Sequence, residues 1–268
     1  MLTDPRLHRT RQRLSLRQEY GEFILQRIEE FKDQLSREQL LALADEAVRE
    51  LEVDAADQLV LTEVLVLEHV DRLIMKRLSL PNFKRWRERH LRLRRAQREP
   101  THWGLARDAP LVDLAARLAD GDVALVAGAG VAPAGLFLAA HDWPVVFIDG
   151  HLATVETTES RAAAESLGMR FQAYVVSLGD WFPPDVTPTL VVIDPAMLAE
   201  LESDRRDRFL DTLRARTVSG GVHCIPPLRD RSRTALGADA LEARYSDWRL
   251  VTSSAARASH WFVAARSA

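Results

Sequence analysis

One cysteine, Cys224, is all the thiol chemistry this chain of 268 residues contains. An internal disulfide is therefore excluded, and a reducing compartment is the expectation. Uncharged apolar runs are short: none reaches the roughly 18 residues that a membrane-crossing helix needs. The opening stretch, MLTDPRLHRT, lacks the apolar core of a secretory signal. A soluble, cytoplasmic protein is expected, one that can still attach to the surface of a membrane or to a membrane complex. No group of His and Cys has metal-ligand spacing, so no metal site is expected.

Glycine and proline are nearly missing from the first 100 residues, which hold one Gly and three Pro. That scarcity excludes a turn-rich β region and predicts helices. Arg11 to Phe31 carries Leu14, Leu16, Phe23, Ile24, Ile28 and Phe31 at mostly helical spacings. Ser36 followed by Gln39 is a capping-box pattern ahead of LLALADEAVREL. Asp54 and Asp57 are candidates to open a third helix over 54–78, apolar around much of its circumference from Leu59 to Val70. Such a helix is central to a bundle or covered by a protein partner. Pro81 starts a fourth segment.

Charge is unevenly spread. Residues 1–108 hold 21 Lys/Arg against 19 Asp/Glu, and the remainder 15 against 20. Between residues 72 and 98 stand eleven basic residues, among them Arg85, Arg87, Arg92, Arg94, Arg95 and Arg98, with Glu88 the only acid. A solvated helix face normally mixes both signs. This one predicts an anionic partner: an acidic protein face, an anionic lipid surface or nucleic acid.

From Asp108 the pattern changes. Apolar runs of strand length (VALVAGAG, WPVVFIDG, MRFQAYVVS, TLVVIDPAM, GGVHCIPPL) alternate with helical stretches, and WRLVTSS and HWFVAARS close the chain. Alternation of this kind predicts βαβ units. The short AARAS between the last two strands leaves no room for a crossover helix, so that pair is antiparallel. The expected fold class is α/β: a Rossmann-like, mostly parallel seven-stranded sheet with a terminal antiparallel hairpin over 108–268, preceded by an α-helical region over 1–107.

In such a sheet, ligands bind beyond the carboxyl ends of the strands. Gly128 and Gly130 form the turn after the first strand, with the next helix starting near Pro133. Asp149 ends the second strand about 20 residues on, where a carboxylate grips a ribose diol. Pro133 stands where a dinucleotide fingerprint wants its third glycine, which points to a nucleoside without phosphates. Asp194, at the end of TLVVID, either lines a substrate pocket or caps the turn before the next helix.

Taken together, ALVAGAG, VVFID, GDWFP and the segment IDPAMLAELESDRRDRFLDTLRARTVSGGVHCI resemble the class I S-adenosylmethionine-dependent methyltransferases, especially the thiopurine-methyltransferase-like and tellurite-resistance-like branches. The resemblance spans about 121–268. It implies S-adenosylmethionine as cofactor, held by Gly128, Gly130 and Asp149, with Asp180 facing the adenine amino group and Trp181 covering the ring. It implies methyl transfer to an unidentified acceptor, with no catalytic residue to name, because the methyl donor is already activated. A second reading stays open. Val126 and Ala132 replace an acid and a glycine of the family's first motif, and a long helical region precedes the domain. Both suit a catalytically inactive, methyltransferase-fold scaffold, membrane-extrinsic and docked on a larger complex through its basic and apolar helices.

Overall fold

A computed structural model describes residues 15–54, 63–227, 238–251 and 261–267. The chain divides into two compact units, one of residues 11–93 and one of 94–268.

The first unit is helical. α1 (Leu16–Asp33) opens on Ser15, whose side chain accepts the Gln18 N–H while the Gln18 side chain accepts the Ser15 N–H. The same reciprocal box opens α2 (Arg37–Asp54), with Ser36 N–H to Gln39 Oε1 at 2.8 Å and Gln39 N–H to Ser36 Oγ at 3.3 Å. Two N–H groups that the helix cannot bond internally are thereby satisfied at each start. Ser36→Ala is expected to cost about 1 kcal/mol, read as a lower urea midpoint at unchanged slope.

α3 spans Glu63–Arg77 and α4 Phe83–Gln97, the latter capped by Asn82 Oδ1 on the Arg85 N–H at 3.0 Å. Asp54 is the last residue of α2 and does not open the third helix; Asp57 and Leu59–Leu61 lie outside the described residues. Ile24, Ile28, Leu43, Ala47, Val70, Leu73 and Ile74 bury one stripe of each of α1–α3 in a common core. Val64 and Leu67 of α3 stay more than half exposed.

The second unit contains the sheet. Its helices are α5 (Pro110–Ala115), α6 (Ala132–Ala140), α7 (Leu152–Ala164), α8 (Pro195–Glu200), α9 (Ser203–Arg216) and α10 (Ala238–Arg244). Its strands are β1 (Ala124–Ala127), β2 (Val145–Asp149), β3 (Phe171–Val175), β4 (Leu190–Ile193), β5 (Val222–Ile225), β6 (Arg249–Leu250) and β7 (Phe262–Ala265), in the order β3-β2-β1-β4-β5-β7-β6. Pairings from β3 to β5 are parallel, and β7 is antiparallel to both β5 and β6. This is the α/β fold class expected from the alternating pattern, with β7 inserted between β5 and β6.

Side chains alternate across the sheet, and both faces are covered. Ala124, Val126, Val145, Phe147, Leu190 and Val192 meet α5, α6 and α7 on one face. Leu125, Ala127, Val146, Ile148, Val191 and Ile193 meet α8, α9 and α10 on the other. Burial on two sides explains why these strands read as continuous apolar runs.

The residues before α5 are built into this unit. Gln97, 2% exposed, donates from Nε2 to the Glu165 backbone oxygen and to its Oε2. Trp103 Nε1–H donates to the Gln97 oxygen. Asp142, in a left-handed turn (φ 71°) ahead of β2, takes ion pairs from Arg94, Arg98 and Arg170 at 3.0–3.2 Å. Residues 94–107 thus pack with the sheet, although the change to alternating strands and helices begins only at Asp108. Of the six arginines that predicted an anionic partner, Arg94 and Arg98 find an acid inside this unit.

Candidate functional site

The order of the sheet reverses at β1 and β4: β2 and β3 lie on one side, β5 and β7 on the other. The carboxyl ends of β2, β1 and β4 therefore form the switch point where doubly wound sheets bind ligands. Three turn segments meet there.

The first follows β1. Gly128 adopts φ 102° and ψ 152°, a conformation open essentially to glycine alone. Its N–H donates to the Ile148 oxygen of β2 at 3.0 Å. A single 3-10 turn (Ala129–Val131) then leads into α6, with Pro133 in its first turn. The second segment follows β2. Asp149 is 3% exposed, and its Oδ1 accepts the His151 N–H at 2.8 Å, so the carboxylate orders the entry to α7. His151 itself is exposed.

The third segment follows β4 and ties the site together. Asp194 is 6% exposed. Its Oδ1 accepts the Ala196 N–H at 2.9 Å as the cap of α8, and its Oδ2 accepts the Gly130 N–H at 2.7 Å. Its own N–H donates to the Ala127 oxygen. The capping role weighed for Asp194 in the sequence is present, together with a bond to a residue 64 positions away. Both glycines lie against this side chain. A Cβ on Gly128 would stand 2.4 Å from the Asp194 Cβ, and one on Gly130 would stand 2.7 Å from its Oδ2. Asp194 thus packs with Gly128 and Gly130, and Asp149 ends the strand on the other side of β1, so two buried acids flank the glycine turn.

Asp180 and Trp181 lie on the loop after β3, held to α9. Asp180 Oδ1 accepts from Arg208 Nη2 at 3.0 Å; Oδ2 accepts from Arg205 Nη2 at 2.8 Å and from Ser177 Oγ at 3.0 Å. The Arg208 hydrogen bond, then that of Ser177, holds the Asp180 carboxyl below the usual carboxylate range. Gly179, at φ 85°, brings the loop so close to α9 that a Cβ there would lie 2.4 Å from the Arg205 oxygen. Trp181 is half exposed and lines a shallow depression with Phe182, Phe209 and Thr212. Neither glycine of the β1 turn, nor Asp149, lines that depression. Arg205 and Arg208 escaped the sequence reading; their spacing of three on one helix was the available signal.

Cys224 in β5 is fully buried, and burial pushes its thiol up to about 12, which leaves it an inert side chain. Among the described residues, no group of His, Cys, Asp and Glu is arranged to hold a metal ion, and no helix is long and apolar enough to cross a membrane.

Strand order, the reversed β7 and a glycine turn at the switch point make this unit a doubly wound, mostly parallel sheet closed by antiparallel strands. No protein-family model matches the sequence, and no curated protein does. Among solved structures, the chain is similar to the N-methyltransferase NodS from Bradyrhizobium japonicum WM9, at 12% identity over 60% of this chain and 95% of that one, with a TM-score of 0.48. It is also similar to a TehB-like SAM-dependent methyltransferase from Corynebacterium glutamicum ATCC 13032, at 18% identity over 69% and 94%, TM-score 0.46. A third is the glycopeptide N-methyltransferase MtfA complexed with S-adenosylmethionine, at 14% identity over 60% and 87%, TM-score 0.45.

Proposed function

We propose that the α/β unit binds S-adenosylmethionine at the carboxyl ends of β1 and β2 and serves methyl transfer to an acceptor. The observation that carries this reading is the pair of buried acids, Asp149 and Asp194, on either side of the Gly128 turn. A site bounded by two carboxylates repels phosphate and favours a cation. S-adenosylmethionine is a nucleoside that carries a sulfonium and an ammonium group and no phosphate, so this donor set suits it and disfavours a dinucleotide.

In this reading Asp149 holds the ribose diol, and the missing Cβ of Gly128 lets the backbone approach the nucleoside. Asp180 and Trp181 serve the adenine end, with Arg205 and Arg208 holding Asp180 in one orientation. Asp194 offers negative charge toward the sulfonium end. When bound, the cofactor supplies a methyl group already activated by its positive sulfur. The protein's part is then to position the reactants and keep water out.

One observation favours the second reading, an inactive methyltransferase-fold scaffold. The Gly130 N–H, which would receive the carboxylate of the cofactor's amino-acid end, is already bonded to Asp194.

Titration calorimetry of the full chain with S-adenosylmethionine and S-adenosylhomocysteine separates the two. The proposal expects micromolar binding that weakens about 10- to 100-fold in Asp149→Ala, the loss of hydrogen bonds to a charged group, with the far-ultraviolet circular dichroism unchanged. No binding at millimolar ligand overturns it in favour of the scaffold. Binding that Asp149→Ala leaves unchanged removes Asp149 from the site.

A further inference from the structure

Between residues 11 and 97, the excess of positive charge is concentrated in one helix. Residues 11–82 hold 10 Lys/Arg against 15 Asp/Glu, whereas 83–97, the span of α4, hold 7 against 1. Lys84, Arg85, Arg87, Arg89, Arg92 and Arg95 are all exposed. At 100° per residue they spread over one broad face of α4, joined there by Glu88 and Leu91. None of the six makes an ion pair among the described residues; Arg92 Nε reaches only the Glu88 backbone oxygen, at 3.4 Å. Arg94, the seventh basic residue, is spent on Asp142.

The opposite side of α4 is committed to its own unit. Trp86 is 7% exposed, stacks on His90 at 4.5 Å and packs against Tyr20 at 5.4 Å and Phe23 at 6.2 Å. Phe83 lies edge-on to Tyr20 at 5.5 Å. A helix that lies in a membrane interface buries a broad apolar face in the acyl boundary, whereas α4 commits Trp86 to its own unit and leaves Leu91 as its one exposed large apolar side chain beside the cations. What remains is a face dominated by charge.

We propose that this face of α4 binds the phosphate backbone of a nucleic acid. From residue 84 to 95 the helix runs about 16 Å, at 1.5 Å per residue. One nucleic-acid strand presents a phosphate about every 3.4 Å of duplex axis, roughly five over that length, against six cations here. Five of the six cations are arginine, whose planar fork pairs with phosphate oxygens two at a time. Binding of this kind positions a polymer without reading its bases. The inference stands apart from the cofactor site and holds whether or not that site is occupied.

The test is fluorescence anisotropy of the full chain with a labelled 20-nucleotide single strand and the matching 20-base-pair duplex, across a salt series. With a net charge of −3, the chain has no general attraction for polyanions, so binding must be local. Four to six phosphate contacts predict that log K falls with log salt at a slope of about −3 to −5. Replacing Arg85, Arg87, Arg92 and Arg95 together by Gln should weaken binding at least tenfold and flatten the slope by roughly 3 to 4. Gln keeps helix propensity, so α4 is retained. A matched control replaces Arg27, Arg37, Arg49 and Arg72 by Gln, removes the same charge elsewhere in the unit, and should leave the slope unchanged. Absence of salt-dependent binding, or equal losses in both variants, overturns the proposal. So does binding to phosphatidylserine vesicles without binding to either oligonucleotide, which assigns the face to lipid.

Discussion

Gly128→Ala is expected to destabilise the α/β unit by about 3–5 kcal/mol, through two separable costs. The first is conformational. A residue other than glycine at φ 102° and ψ 152° carries strain on the order of 1–3 kcal/mol. The second is steric, because the new methyl group would stand 2.4 Å from the Asp194 Cβ and 3.1 Å from the Met197 Cβ. Asp194 cannot step aside cheaply, since its two carboxylate oxygens and its N–H are bonded to Ala196, Gly130 and Ala127. The double variant Gly128→Ala/Asp194→Gly tests the division. It should recover part of the steric cost and none of the conformational cost, so the two changes should be non-additive by 1 kcal/mol or more. Denaturant unfolding of the four proteins measures this. Strict additivity would show that Asp194 does not fill the turn as described.

The site and its surroundings were legible in the sequence to different depths. β1, β2 and β4 announced themselves as apolar runs because both faces of each are buried. The residues that end them, Gly128 and Asp149, followed from chain order alone. The capping box at Ser36 was legible because its partner is three residues away. Contacts between distant segments leave no such trace. Periodicity does not say that Asp194 reaches Gly130, that Arg205 and Arg208 converge on Asp180, or that Arg94 and Arg98 close on Asp142. Those acids and arginines look like ordinary solvated charges until the fold brings them together. At Asp54, residue type alone misleads. It has the residue type of a helix cap, yet it is the last residue of α2, and Asp57, the other candidate, lies outside the described residues.

The largest pH effect should come from His223, a residue that no pattern in the sequence singled out. It sits fully buried in β5 between two hydroxyl groups, Thr217 Oγ1 at 2.7 Å from Nε2 and Tyr245 Oη at 2.7 Å from Nδ1. Thr217 has given its only proton to the Leu213 oxygen. It can therefore only accept from His223, which places the ring proton on Nε2 and leaves Nδ1 to accept from Tyr245. A second proton on Nδ1 would meet the Tyr245 donor head-on. Burial, followed by the charges of Arg214 and Arg266, pushes the imidazole down to about 3. The unfolded chain protonates near 6.5, so this group's contribution is fully present above that pH. It is lost as pH falls toward 3, at up to about 1.4 kcal/mol per pH unit. Denaturant unfolding at several pH values between 7 and 4 should show the wild type losing stability more steeply than His223→Gln, although Gln starts lower at pH 7. Tyr245→Phe removes the donor to Nδ1 and costs about 1–3 kcal/mol; it should also raise the folded-state pKa of His223, so that the acid loss ends at a higher pH and is smaller than in the wild type. Parallel curves for all three proteins would mean that folding leaves the protonation of His223 near its unfolded value, and that the buried ring is not held neutral.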